Sequence, residues 1–150
     1  MWSFDIRPFE GAFPIRFGMS RAEVLTVLGG KPIAGKANDS FGKSLEINIG
    51  YDEVGAVDHI GMSPGAFELK FNGTPLWTPS DHPDPNGLLL VHDPDPMEHV
   101  GFLSFLKIGV KTTGYHDDDP DDLALVVWPT GAWDKFLAKA KRPDLSKYKR

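Results

Sequence analysis

The chain has 150 residues, of which 41% are hydrophobic and 25% charged, and its formal net charge is -5. This near-average composition excludes a disordered or fibrous protein, and no apolar run reaches the roughly 18 residues that a membrane helix needs. Cysteine is absent, which excludes disulfides, thiolate nucleophiles and cysteine-ligated metals. We therefore expect one globular domain that makes no contact with membranes.

The first clear element is a short helix that follows the alternating run Phe13-Pro14-Ile15-Arg16-Phe17. Ser20 and Glu23 have the spacing of a capping box, in which each side chain accepts a hydrogen bond from a free amide of the first turn. Gly29-Gly30 and Pro32 favour the end of a helix. The pattern predicts a helix of about nine residues that begins at Ser20.

Residues 44 to 71 alternate between apolar and polar side chains, which is typical of half-buried strands. We expect strands near 45–50, 56–60 and 66–71, and a tight turn at Asn72-Gly73. Because the three strands follow one another closely, the sequence predicts an antiparallel meander.

Six prolines between positions 75 and 96 exclude long regular elements from the middle of the chain. Within this stretch, Leu88-Leu89-Leu90-Val91 fits either one helical turn or a buried strand, and both interpretations stay open. The run from Phe102 to Lys111 is strand-like. Residues 114–122, here called the acidic loop, have a loop composition.

A buried strand is predicted at Leu123 to Trp128, followed by a last helix at Gly131 to Ala140. Together the elements predict an α+β fold, in which one antiparallel sheet is covered by the N-terminal and C-terminal helices. The expected domain spans residues 1–140. Residues 141–150 are expected to form a basic, flexible tail.

Charge is distributed unevenly along the chain. Residues 81 to 122 contain ten acids and two lysines, whereas residues 135 to 150 contain seven bases and one acid. A dense acidic loop repels nucleic acids and membranes and attracts a basic partner. The alternative is a solvated loop whose charges only maintain solubility.

The sequence offers candidates for a binding surface and none for chemistry. A nucleophile elbow, a paired-carboxylate site and a phosphate-binding glycine loop are all missing, so we expect no enzyme, no cofactor and no native metal site. Trp77 lies in the proline-rich segment and is a candidate anchor, with burial at one end of the core as the alternative. The predicted partner-binding residues are Trp77, Tyr115, His116, Asp117, Asp118, Asp119, Asp121 and Asp122.

The N-terminal third resembles a known family. The run Ile15-Arg16-Phe17-Gly18-Met19-Ser20, then Glu23-Val24, Leu28-Gly29 and Pro32, is similar to the pattern of the SmpA/OmlA (BamE-like) family and of β-lactamase inhibitor proteins. The resemblance covers about 50 residues and implies a short helix that leads into an antiparallel meander. The chain lacks the lipidated cysteine of the outer-membrane lipoproteins, and Gly30 adds one residue to the usual spacing.

The chain as a whole is similar to small bacterial proteins, some of which are encoded beside polymorphic or contact-dependent toxins as immunity proteins. The comparison rests on Phe71-Asn72-Gly73-Thr74-Pro75-Leu76-Trp77, on Gly101-Phe102 and on Lys107-Ile108-Gly109-Val110. It implies a cytoplasmic immunity protein that binds and neutralises one toxin. The acidic surface adds that this toxin is basic, with a nuclease as one candidate. The alternative is a non-enzymatic scaffold or assembly module of BamE-like fold without a lipid anchor.

Overall fold

A computed structural model describes residues 2–29, 33–34, 38–41, 46–129 and 140–148. These residues form mainly β-structure, with two short α-helices and two 3-10 turns. The 3-10 turns are Pro120–Asp122 and Ser146–Tyr148. In chain order the other elements are β1 (Trp2–Arg7), β2 (Gly11–Phe13), β3 (Ile15–Arg16), α1 (Arg21–Leu28), β4 (Ile33–Ala34), β5 (Asn38–Phe41), β6 (Ile47–Tyr51), β7 (Val57–Met62), β8 (Phe67–Phe71), β9 (Thr74–Trp77), α2 (Asn86–His92), β10 (Met97–His99), β11 (Phe102–Phe105), β12 (Val110–Thr113) and β13 (Ala124–Val127).

The described strands form two sheets. The first has the order β3-β2-β1-β8-β9, and the second has the order β10-β11-β12-β13-β7-β6-β5-β4. All the pairings of the second sheet are antiparallel. In the first sheet β1 and β8 pair in parallel, with Phe4 opposite Leu69. This parallel pair joins the three N-terminal strands of the sheet to β8 and β9, which come much later in the chain.

The predicted α+β fold, with one sheet covered by two helices, is wrong. Two sheets are present, and the first is built on β1, which the sequence analysis did not predict. Phe4 and Ile6 alternate into the core from β1 and recruit β8 as a neighbour. The predicted meander therefore stops after two strands, because β8 leaves β7 and joins the other sheet.

Several predicted elements are confirmed. Ser20 Oγ accepts a hydrogen bond from the Glu23 amide, and Glu23 accepts one from the Ser20 amide, so α1 begins with the expected capping box. Gly29, at a φ of 63°, ends the helix. The run that begins at Leu88 fitted either a helical turn or a buried strand, and it belongs to the helix α2. The predicted helix at Gly131 to Ala140 lies almost wholly outside the described residues.

One hydrophobic core connects the two sheets. Phe4, Ile6 and Leu69 enter it from the first sheet, and Ile49 and Ile60 enter it from the second. Each such side chain contributes about 1.5–3 kcal/mol when it is fully buried. The two sheets therefore share one core, and the acidic loop joins β12 to β13 in the second sheet.

Two hairpins have the same turn geometry but different residues. Asn72 and Gly73 join β8 to β9 at φ values of 47° and 82°, and Val100 and Gly101 join β10 to β11 at 50° and 80°. Positive φ at both positions suits asparagine followed by glycine and is unfavourable for a β-branched residue. Val100 is 79% exposed, so burial does not offset the strain.

We therefore predict that Val100→Asn raises the free energy of unfolding by about 1 kcal/mol, because it removes a strained β-branched residue. The melting temperature should rise by about 2–4 °C in a chain of this length. The matched change Asn72→Val should lower it by a similar amount. Thermal unfolding followed by circular dichroism checks both, and a Val100→Asn variant that melts below the wild type would contradict the strain argument.

Candidate functional site

The acidic loop is closed by two short hydrogen bonds at its base. The Asp119 amide donates to the Gly114 carbonyl at 2.8 Å, and Thr113 Oγ1 donates to the Asp122 carbonyl at 2.6 Å. A Cβ atom at Gly114 would lie 2.6 Å from the carbonyl oxygens of Asp119 and Asp122, and Gly114 has a φ of 84°. The sharp turn therefore requires glycine at this position.

The C-terminal half of the loop forms the 3-10 turn at Pro120–Asp122. Asp119 caps this turn, since its Oδ1 accepts a hydrogen bond from the Asp121 amide at 3.2 Å. Asp119 thus has a structural role in addition to its charge.

The aspartates of the loop are exposed but have different surroundings. Asp118 accepts a hydrogen bond from Lys147 Nζ at 2.7 Å. The side chains of Asp117, Asp121 and Asp122 form no hydrogen bond or ion pair with the residues that the structure describes. Three carboxylates are therefore held on a hydrogen-bonded loop and remain exposed.

The C-terminal segment lies against this loop. Lys147 Nζ donates to the Tyr115 carbonyl at 2.5 Å as well as to Asp118, and Leu145 packs against the core. Glu98 and Lys141 exchange backbone hydrogen bonds of 2.8 and 2.9 Å. Residues 141–150 were predicted to be a flexible tail, whereas residues 141–148 make these specific contacts.

A polar network anchors the same segment below the surface. Tyr148 donates from its hydroxyl to Asp84 Oδ2 at 2.5 Å and accepts from Asn86 Nδ2 at 2.9 Å. Asn86 is fully buried on α2, and its Oδ1 accepts from Thr112 Oγ1 at 2.8 Å. The network connects the C-terminus to β12, the strand that leads into the acidic loop.

A polar cleft of about 330 Å³ lies between the loop and the C-terminal segment. It contains four acids and one lysine, so its lining is mainly negative. We call it the acidic cleft, and its lining residues are Glu98, His116, Asp117, Asp118, Asp144, Ser146 and Lys147.

Three of the predicted partner-binding residues are mostly buried. Trp77 is 1% exposed, because it ends β9, which pairs with β8 opposite Leu69. It packs edge-on against Phe67 and does not belong to the surface that carries the acidic loop. Tyr115 is 7% exposed, and the His116 side chain is 5% exposed. The five predicted aspartates, in contrast, are exposed on one loop.

Sequence reasoning missed the residues that complete the cleft. Glu98 comes from β10 and lies 3.6 Å from His116 Nε2, while Asp144 and Lys147 come from the C-terminal segment. No local pattern connects these positions, because strand pairing and C-terminal docking bring them together. The sequence signal for this contact was the positive charge of the last residues, which is opposite to that of the acidic loop. That charge did not show which lysine pairs with which acid.

Comparisons with known proteins add no relative. No protein-family model, no curated protein and no solved structure matches the chain. Both resemblances stated above therefore stay predictions. Within the described ranges, no helix is long and apolar enough to span a bilayer, and no three His, Asp or Glu residues are grouped to hold a metal ion.

The two tyrosines near the loop provide a matched pair for testing the network. Tyr148→Phe should lower the free energy of unfolding by about 1–3 kcal/mol, because it removes the hydrogen bonds to Asp84 and Asn86. Tyr115 has a buried hydroxyl with no hydrogen-bond partner among the described residues, so Tyr115→Phe should be neutral or stabilising. Urea unfolding measures the change in the free energy of unfolding for each variant. An equal loss of stability in both variants would contradict the network.

The burial of the tyrosines should also be detectable in a titration to alkaline pH. The chain has three tyrosines, Tyr51, Tyr115 and Tyr148, and burial is the main cause that raises the pKa of each, to about 12 for Tyr115. An unfolded tyrosine has a pKa of about 10. Their contribution to stability is therefore complete below pH 10 and declines as the pH rises above it.

We expect the ultraviolet absorbance of tyrosinate to stay low between about pH 10 and 11 while the fold is intact. It should then rise together with the loss of circular dichroism. A tyrosine that titrates near pH 10 with an unchanged circular dichroism spectrum would show that its burial is incorrectly assigned.

Proposed function

We propose that this protein is an inhibitor of the immunity type, which binds a basic bacterial toxin through the acidic loop and neutralises it. The observation that carries the proposal is the set of exposed carboxylates of Asp117, Asp121 and Asp122 on a loop with a closed backbone. Isolated surface acids are common, but a group of them on one ordered loop generates a concentrated negative potential.

Electrostatics favour a protein partner with a basic surface. Opposite charges accelerate association and disfavour wrong partners, and a loop that is already ordered loses less conformational freedom on binding. A nuclease fits this chemistry, because its active-site cleft must attract phosphate and is therefore positively charged. The same negative potential disfavours direct binding of nucleic acid or of an anionic membrane.

In this role the protein itself catalyses no reaction. The acidic cleft contains His116 and several acids, but it lacks a nucleophile held by a base in the described residues. We accordingly propose a non-enzymatic inhibitor that acts in the cytoplasm, where a toxin encoded beside it would first appear.

The contact can be tested by removing charge alone. The triple change Asp117→Asn, Asp121→Asn and Asp122→Asn removes three negative charges without deleting any hydrogen bond that these side chains make to described residues. Affinity for the partner should fall by about tenfold or more, since rim charges act mainly on association. Tagged protein retains the partner from a lysate of its own cells, and calorimetry then gives the affinity.

A second triple variant controls for net charge. Glu10→Gln, Glu53→Gln and Asp81→Asn remove the same charge from exposed positions outside the acidic loop, and affinity should change little. The retained protein must also arrest growth when expressed alone, and co-expression of the wild-type chain must restore growth. Equal affinity of the two triple variants, or a retained protein without toxicity, would overturn the proposal.

A further inference from the structure

Two arginines on the first sheet lie against one phenylalanine ring. The Cζ atom of Arg7 is 4.1 Å from the centroid of the Phe13 ring, and the Cζ atom of Arg16 is 4.6 Å from the same centroid. Arg7 on β1 and Arg16 on β3 are both opposite Gly11 of β2 in the strand register. Because paired residues share a face of a sheet, and Phe13 follows Gly11 by two residues, the three side chains lie on one face. We call Arg7, Phe13 and Arg16 the arginine cluster.

The arginine cluster is directed away from the core. Ile6 and Ile15, which precede the two arginines along their strands, are fully buried, whereas Arg7 and Arg16 are exposed. A Cβ atom at Gly11 would collide with the Ile15 carbonyl oxygen, and Gly11 has a φ of 143°. Position 11 therefore requires glycine. As a result, the position that pairs with both arginines places no side chain between them.

The two arginines are incompletely neutralised by their own chain. Arg7 Nε lies 3.5 Å from Asp5 Oδ2, which is longer than the roughly 2.7–2.9 Å of a charge-assisted hydrogen bond. Asp5 also accepts a hydrogen bond from the Gly73 amide at 2.9 Å. The Arg16 side chain makes no hydrogen bond or ion pair with the residues that the structure describes. Two like charges beside one ring repel each other, and an anion that contacts both would relieve this repulsion.

Contact with the ring holds the guanidinium groups without using their hydrogen-bond donors. Cation–π attraction to Phe13 restrains both arginines. The ring offers no oxygen acceptor, so the N–H donors of Arg16, and those of Arg7 that do not face Asp5, remain available for an oxyanion. A restrained side chain also loses less conformational freedom when it binds a ligand. The cluster therefore presents two positioned sets of donors on one exposed face.

The number and the extent of the charges select the ligand. A carboxylate has one negative charge and two oxygens, which a single guanidinium can satisfy. A phosphate monoester carries about −1.5 to −2 charges at neutral pH and has three acceptor oxygens, so it can accept from two guanidinium groups at once. Lys70, which is opposite Asp5 on β8, lies 3.4 Å from Glu68 Oε1. The unpaired positive charge thus ends at the two arginines, whereas a nucleic acid needs a longer basic surface.

We propose that the arginine cluster is a binding site for one phosphate monoester group. Arg7 and Arg16 donate to the phosphate oxygens, and Phe13 positions both guanidinium groups. The site lies on the first sheet and does not rest on the proposed function, which uses the acidic loop of the second sheet. Two sources present this chemistry, a small phosphorylated metabolite and a phosphorylated side chain of a protein.

The test is a titration of the full chain with methyl phosphate at low salt and neutral pH, followed by nuclear magnetic resonance. The Nε–H signals of Arg7 and Arg16 should shift and saturate together. Methyl sulfate, which has the same shape and one negative charge, should bind about fivefold or more weakly, because only a dianion matches two guanidinium groups.

A second ligand separates the two sources of phosphate. N-acetyl-O-phosphoserine methylamide carries the same phosphate on a peptide unit. Binding about threefold or more tightly than methyl phosphate would assign the site to a phosphorylated protein, because the peptide unit then adds contacts. Equal binding of the two ligands would assign it to a small metabolite.

Three variants locate the site. Arg16→Gln should weaken the binding of methyl phosphate by about fivefold or more, because a charge-assisted hydrogen bond is lost. Arg142→Gln is the matched control, since it removes the same charge from an exposed position in the C-terminal segment, and it should have less than half of that effect. Phe13→Leu retains an apolar side chain and removes the ring, and it should weaken binding by about twofold or more. If that variant fails to fold, the comparison of the two arginines still decides.

The outcomes are independent of the proposed function. Absence of saturable shifts, equal binding of methyl sulfate, or equal effects of Arg16→Gln and Arg142→Gln would overturn the phosphate site. None of these results bears on the inhibitor proposal, because the acidic loop is unchanged in every variant.

Discussion

Repulsion among its own carboxylates is the constraint that the acidic loop must overcome. Five aspartates between positions 117 and 122 would favour an extended, solvated segment if nothing opposed them. Lys147 neutralises Asp118 and binds the Tyr115 carbonyl, while Asp119 caps the 3-10 turn within the loop. Gly114 permits the turn that closes the backbone. The remaining carboxylates are therefore held close together on one surface of the protein.

This order extends from the loop into the core. The C-terminal segment that supplies Lys147 is anchored one residue later by Tyr148, through Asn86, to Thr112 on β12. The strand that leads into the loop and the segment that supplies the cation for Asp118 are therefore connected by one network. For the proposed partner, such a preorganised surface reduces the conformational entropy lost on association. The same docking creates the acidic cleft, so the cleft and the loop depend on a common support.

Sequence reasoning succeeded where the signal is local. The capping box of α1, the strand periods of β6 and β7, the turn at Asn72-Gly73 and the exposure of the acidic loop all depend on neighbouring residues. It failed where contacts between segments that are distant in sequence determine the structure. The parallel pairing of β1 with β8 places Phe4 beside Leu69, and no local sequence pattern predicts this pairing. The same holds for Trp77, which strand pairing carries into the core, and for the convergence of Glu98 and Lys147 on the cleft.

In the proposed function, the acidic loop attracts a basic partner as a preformed surface. The most direct measurement is the association rate constant with that partner as a function of ionic strength, together with the dissociation rate constant. Association should slow by about tenfold or more between low and physiological salt, while dissociation changes little. An association rate that does not depend on salt would contradict the proposed function, because binding would then not be directed by the charges of the loop.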